Sequence, residues 1–171
     1  MNINELRTLF PVTQNYVFLN NAAESPLNLR GRQAMDDYLD LCQTAPQSKP
    51  SVRSQIRSQL ADLFGGQPDE YALVTSTGLG ISMVAAGYQW AAGDNVVVPS
   101  NEHWNNSFPW QALIEKGVEV RFVQPDEDHR MNPAQVAALT DQNTKIVAVA
   151  AVSFNTGFRS DLKKLAAIVH A

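Results

Sequence analysis

Apolar and polar positions change their period along the chain, and the change divides it in two. Residues 2–10 carry a helical pattern that Pro11 ends. Tyr16 to Leu19 predicts a brief extended segment, and Asn20-Asn21-Ala22-Ala23 predicts a turn. Pro26 is expected to open a helix reaching about Thr44, followed by a two-proline loop over 45–50. Ser51 is placed to cap a third helix, in which Val52, Ile56, Leu60 and Leu63 recur at helical spacing until Gly65-Gly66 stops it. Apart from the short extended segment at Tyr16 to Leu19, the pattern is helical, and it predicts an N-terminal helical segment, 1–66.

From residue 67 the pattern becomes a regular alternation. Strands are expected at 71–75, 95–98, 118–123 and 145–152. Helices are expected from the end of the first strand to about Ala92, over Phe108–Lys116, from Asn132-Pro133 to about Leu139, and after a cap at Ser160 or Asp161. Strand–helix alternation of this kind predicts an α/β unit over 67–171, with a mostly parallel sheet covered by helices on both faces. The alternation stops on a helix with no strand after it. An edge strand and apolar faces are then left to a partner or a continuation.

Composition narrows the function classes. With 171 residues, 44% hydrophobic and 18% charged, the chain can build one sizeable core. A net charge of −4 without a Lys/Arg-rich run argues against nucleic acid and anionic membrane as partners. Neither a signal peptide nor an apolar run of membrane-spanning length is expected. The single cysteine, Cys42, cannot form an internal disulfide; it is read as a packing residue in a helix, and the chain as cytoplasmic.

Three strand ends carry the chemistry. Ser76-Thr77-Gly78-Leu79-Gly80 lies between a strand and a helix, where free amides can hold an anion. The same residues also suit a plain tight turn with Thr77 as helix cap. The turn lacks the Gly-Lys-Ser/Thr of a P-loop and the glycine spacing of a dinucleotide site, which argues against ATP and NAD. His103 follows the strand 95–98 among Glu102, Trp104, Asn105 and Asn106, as a ligand residue or as a surface-loop histidine. Ser153-Phe154-Asn155-Thr156-Gly157 ends the strand 145–152. All three fall on one edge of a parallel sheet, which points to a ligand cleft. No histidine or cysteine spacing fits a metal.

Together these segments resemble the class V aminotransferase-like family of pyridoxal-phosphate (PLP) enzymes, which includes cysteine desulfurases and kynureninase. The resemblance rests on Tyr16 through Ala23, Leu73 through Gly78, Glu102 through Asn106 continuing to Pro109-Trp110-Gln111, and Val152 through Gly157. It implies the front part of a PLP-transferase large domain. The amides of Gly78 and Leu79, with Thr77, would hold the cofactor phosphate, and His103 would stack on its ring. Phe154 and Asn155 would lie beside the cofactor, and Ala22 and Ala23 would line the substrate end.

The sequence departs from the family pattern in places. Leu79 stands where many relatives have threonine, and Asn20 replaces an aspartate. Phe154 takes an asparagine position, with Asn155 one place later, which leans toward the kynureninase-like branch and away from cysteine desulfurases. The family's ring-pairing aspartate and its cofactor-binding lysine have no counterpart among these residues, since none of Lys49, Lys116, Lys145, Lys163 and Lys164 follows a histidine after a strand. No catalytic residue is therefore assigned, and the chain alone is expected to be inactive. A homo-oligomer or a complementing C-terminal polypeptide, with a small amino acid as substrate, would complete it. The alternative is a non-enzymatic α/β interaction module, or a degenerate fragment of the PLP fold.

Overall fold

A computed structural model describes residues 2–48 and 52–170. They fall into two compact units, one ending at Leu73 and the other beginning at Val74.

The first unit is helical. Helix α1 (Ile3–Thr8) begins at a capping box, in which the Asn2 side chain accepts from the Asn4 and Glu5 amides while Glu5 accepts from the Asn2 amide. A 3-10 turn at Pro11–Gln14 follows. Helix α2 (Leu29–Thr44) starts three residues later than the Pro26 pattern predicts. The reason is Asn28, whose side chain takes the Gly31 amide at 2.8 Å and sets the start. Cys42 is half-buried on it. Helix α3 (Val52–Phe64) ends at Gly65 and Gly66, both at positive φ. Its expected cap, Ser51, lies outside the described residues.

The strand expected at 71–75 is not formed. Pro68–Glu70 make a 3-10 turn and the chain then runs to Ser76 without a ladder. Leu73 and Val74 stay more than 40% exposed. The pattern is strand-like, but a strand needs a partner to take its hydrogen bonds, and among the described residues none pairs with it.

The second unit is an α/β layer structure. Helix α4 (Thr77–Gly87) stops short of the expected Ala92 because Tyr88 turns extended and the Trp90 indole folds back onto the Ala85 carbonyl. Strands β1 (Asn95–Pro99) and β2 (Glu119–Val123) follow, separated by α5 (Phe108–Gln111) and a 3-10 turn at Ile114–Lys116. The single helix expected over 108–116 is thus two short pieces, ended by Gly117 at φ 80°. Helix α6 (Pro133–Leu139), strand β3 (Thr144–Val147) and helix α7 (Leu162–Val169) complete the unit, with Asp161 rather than Ser160 capping α7.

The sheet is parallel throughout, in the order β2-β1-β3. Strand β1 sits in the middle and is wholly buried, as a parallel strand between two helical layers must be. Its alternate side chains feed two cores. Val96 and Val98 pack with Ala85, Trp110, Leu113 and Val118 on one face, and Val97 packs with Val123, Met131, Val136 and Leu165 on the other.

A polar clamp holds the strand starts. The buried Asn95 side chain donates to Asp141 (2.9 Å) and accepts from the Thr144 hydroxyl (2.7 Å), and Arg121 reaches Asp141, Glu119 and the Leu139 carbonyl. The Arg121 guanidinium, then Asn95, hold the Asp141 carboxyl well below the usual carboxylate range.

Candidate cofactor site

With their starts clamped, the strands present their opposite ends to the candidate site. Ligands of open α/β sheets collect at these carboxyl ends.

Helix α4 supplies an anion cradle. Ser76 is its cap, in place of the expected Thr77, and its hydroxyl accepts the Leu79 amide at 3.1 Å. Leu79 is therefore not an open donor, contrary to the sequence reading. A cap serine satisfies the third amide of the helix, and the amides of Thr77 and Gly78 remain outside the helical ladder. Gly78 is also a close approach. A Cβ there would meet Asn105 Oδ1 at 3.2 Å, so the start of α4 packs directly against the loop that leaves β1.

That loop carries His103, which caps a 3-10 turn at Trp104–Asn106. The Asn105 amide donates to His103 Nδ1 at 3.2 Å, which leaves a neutral imidazole its proton on Nε2. The ring lies 4.4 Å from Trp104 (centroid to centroid) and meets Phe154 edge-on at 4.9 Å. A flat ring fixed on three sides makes a stacking platform.

The third strand end closes the cluster. Beyond β3, Val152 pairs with Arg159 in an isolated antiparallel bridge that encloses the turn 153–157. Within the turn the Ser153 hydroxyl donates to Asn155 Oδ1 at 2.7 Å. Phe154 thus reaches the imidazole, whereas the Asn155 oxygen is turned toward its own loop.

The fold sets Gly78 against Asn105 of the His103 loop and Phe154 against His103; Thr77 and Leu79 flank Gly78 at the start of α4, and Asn155 follows Phe154 in its turn. Ala22 and Ala23 belong to the other unit, where they form an exposed turn closed by the Ala23 and Glu24 amides on the Asn20 carbonyl. Glu102 and Asn105 stand beside His103 in the sequence pattern without an assigned role; the fold makes Asn105 the neighbour of Gly78 and Glu102 a bridge between loops. A signal for Glu102 existed, since a carboxylate at a strand exit faces free amides on neighbouring strands. Among the described residues no cluster of metal-ligating side chains exists, and no helix is long and apolar enough to cross a membrane.

Comparison with known proteins shows the family and the fold. The family model described as "Aminotransferase class-V" matches residues 17–171. A "Probable cysteine desulfurase" of Methanothermobacter thermautotrophicus is 30% identical over 99% of this chain and 44% of its own length. A cysteine desulfurase of Dickeya dadantii is 28% identical over 99% of the chain and 46% of its own length. Among solved structures, the cysteine desulfurase CsdA of Escherichia coli superposes with a TM-score of 0.86 at 23% identity, covering 99% of this chain and 46% of that one. The fold is thus that of cysteine desulfurases, and the chain spans less than half the length of these relatives.

Proposed function

Since the chain belongs to the aminotransferase class-V family, we propose that it is the cofactor-phosphate-binding portion of a PLP-dependent enzyme acting on an amino acid. The single observation that carries this reading is the packing of Gly78 against Asn105, which sets open amides beside the loop of His103.

The residues fit the group. Two unladdered amides at the start of α4 suit a phosphate dianion, aided by the positive end of the helix. The Thr77 hydroxyl adds a donor. His103 offers a ring face for a pyridine, and its neutral Nδ1 is occupied by the Asn105 amide, so the ring cannot rotate freely. Phe154 shields one side of the imidazole from water. When bound, the cofactor supplies an electron-withdrawing ring that stabilises negative charge on an amino-acid carbon. This chain's residues hold and orient that ring.

No described lysine belongs to the cluster. Lys145 lies at the opposite end of β3, 3.4 Å from Asp94, and Lys163 and Lys164 lie on α7. On this reading the chain alone binds without turning over substrate, and a second polypeptide or a continuation supplies the lysine and an acid for the ring nitrogen. Transamination, desulfuration and lysis remain the three reaction types open to the completed site. The single cysteine suits a reducing cytoplasm.

Pyridoxamine 5′-phosphate is the suitable probe, because its amine cannot condense with surface lysines. Titration followed by tryptophan fluorescence is expected to saturate and to be displaced by inorganic phosphate. The Gly78→Asp variant sets a negative charge among the phosphate donors and is expected to abolish binding; His103→Ala weakens it about tenfold, the loss of one good ring contact. Binding unaffected by Gly78→Asp, or release of sulfide from cysteine by the 171-residue chain alone, would overturn the reading.

A further inference from the structure

We propose that Glu102 is the positioning residue of this site, a two-armed brace that fixes His103 relative to the Phe154 turn. One carboxylate oxygen accepts the His103 amide at 2.8 Å. The other accepts the Ala150 amide at 2.7 Å, from 48 residues further along the chain. The first donor lies just past β1 and the second just past β3, which are neighbours in the sheet.

Loops leaving adjacent parallel strands have no ladder to set their spacing. Here one carboxylate sets it. The β3 side of the brace is itself stiff. The Ser160 hydroxyl donates to the Ala150 carbonyl (3.0 Å), the Ser160 amide to Ala151, and the Ser153 amide to Phe158. Glu102 therefore ties the imidazole loop to a braced turn rather than to a loose one. Glu102 also lines a small cleft of about 20 Å³, close to the room of one water, with Pro99, Asn101, Met131, Ser153 and Phe158.

The chemistry requires a carboxylate of this length. Both oxygens accept, and both donors are backbone amides that cannot turn aside. A glutamine offers one oxygen and turns an NH2 toward the second N–H, where donor meets donor. An aspartate is one methylene too short to span both loops.

The brace itself is independent of the functional reading; only its effect on affinity rests on that reading. The test uses the ¹⁵N-labelled full chain and the Glu102→Gln variant. In the wild type, the His103 and Ala150 amides are expected to exchange slowly with deuterium, and His103 and Phe154 ring protons to show mutual Overhauser cross-peaks. In Glu102→Gln, at least one of the two amides should exchange about tenfold faster or more, the ring cross-peaks should vanish, and pyridoxamine 5′-phosphate should bind about tenfold more weakly. The Val96–Val98 amides of β1 should keep their protection. A variant with a lower melting temperature but unchanged cross-peaks and unchanged exchange at both amides would reduce Glu102 to a packing residue and refute the proposal. Fast exchange of both amides in the wild type would refute it without any variant, which covers the case in which Glu102→Gln fails to fold. Absence of pyridoxamine phosphate binding in a wild type with both hydrogen bonds intact would instead overturn the functional reading and leave the brace standing.

Discussion

The two units of this chain use apolar residues in opposite ways. In the unit that begins at Val74, β1 and the residues packed around it are sealed, with Val96, Val97 and Val98 at 0% exposure. In the unit that ends at Leu73, helices α1, α2 and α3 bury no described residue, and Leu39, Leu63 and Phe64 are each more than half exposed. Both stretches carry clear apolar patterns, helical spacing in the first and a continuous run at β1 in the second. The difference shows that periodicity sets the type of an element, whereas burial depends on something lying opposite it. A parallel strand gains its covering layers from the crossover helices of its own sequence. A helix with one apolar stripe has no such built-in cover.

The sharpest way to break this comparison is to place a charge on each side of it. Val97→Asp puts an unpaired carboxylate in a sealed core and should cost more than about 4 kcal/mol, which urea unfolding followed by circular dichroism would record. Leu39→Asp on α2 should change stability by no more than about 0.5 kcal/mol. A much larger loss there would show that Leu39 is covered in solution, and the contrast between the units would fall.

Polar residues extend the contrast at a lower magnitude. Asn95→Ala leaves Asp141 and Thr144 without their shared partner at the strand starts and should cost about 1–3 kcal/mol. Asn28→Ala removes the cap of α2 and should cost about 1 kcal/mol, read most cleanly as faster amide exchange in the first turn of that helix. Equal losses at the two positions would mean that burial adds nothing to an asparagine hydrogen bond here.

The smallest effect is a pH dependence. Arg121 and Asn95 lower the folded-state pKa of Asp141. The stability this contributes is complete above the unfolded carboxylate value of about 4 and is lost as pH falls through the lowered folded value. Melting temperature below pH 4 should therefore fall less steeply in Asp141→Asn than in the wild type. Identical acid slopes in Asp141→Asn and the wild type would remove the strand-start clamp from the account.

Much of the second unit was legible in its residues. The run Asn95 to Val98, bounded by Gly93-Asp94, could hardly be other than a buried strand, and Asn132-Pro133 marked the start of α6 within a residue. The nearness of His103 and the Phe154 turn follows from the strand patterns before them, because neighbouring parallel strands end on one edge. The details of the site were not legible. The stretch Tyr71 to Thr75 reads as a strand and yet forms none, since pairing is a property of two segments. Leu79 reads as a phosphate donor, yet Ser76 had already taken its amide.

The amino-acid sequence by itself determined which stretches coil and which extend, and where caps and glycines stop them. Those outcomes follow from interactions a few residues apart. Only the folded chain decided that the order is β2-β1-β3, that Asn105 meets Gly78, and that one carboxylate joins the amides of His103 and Ala150. Contacts between residues dozens of positions apart depend on how whole layers pack, and no local pattern encodes them.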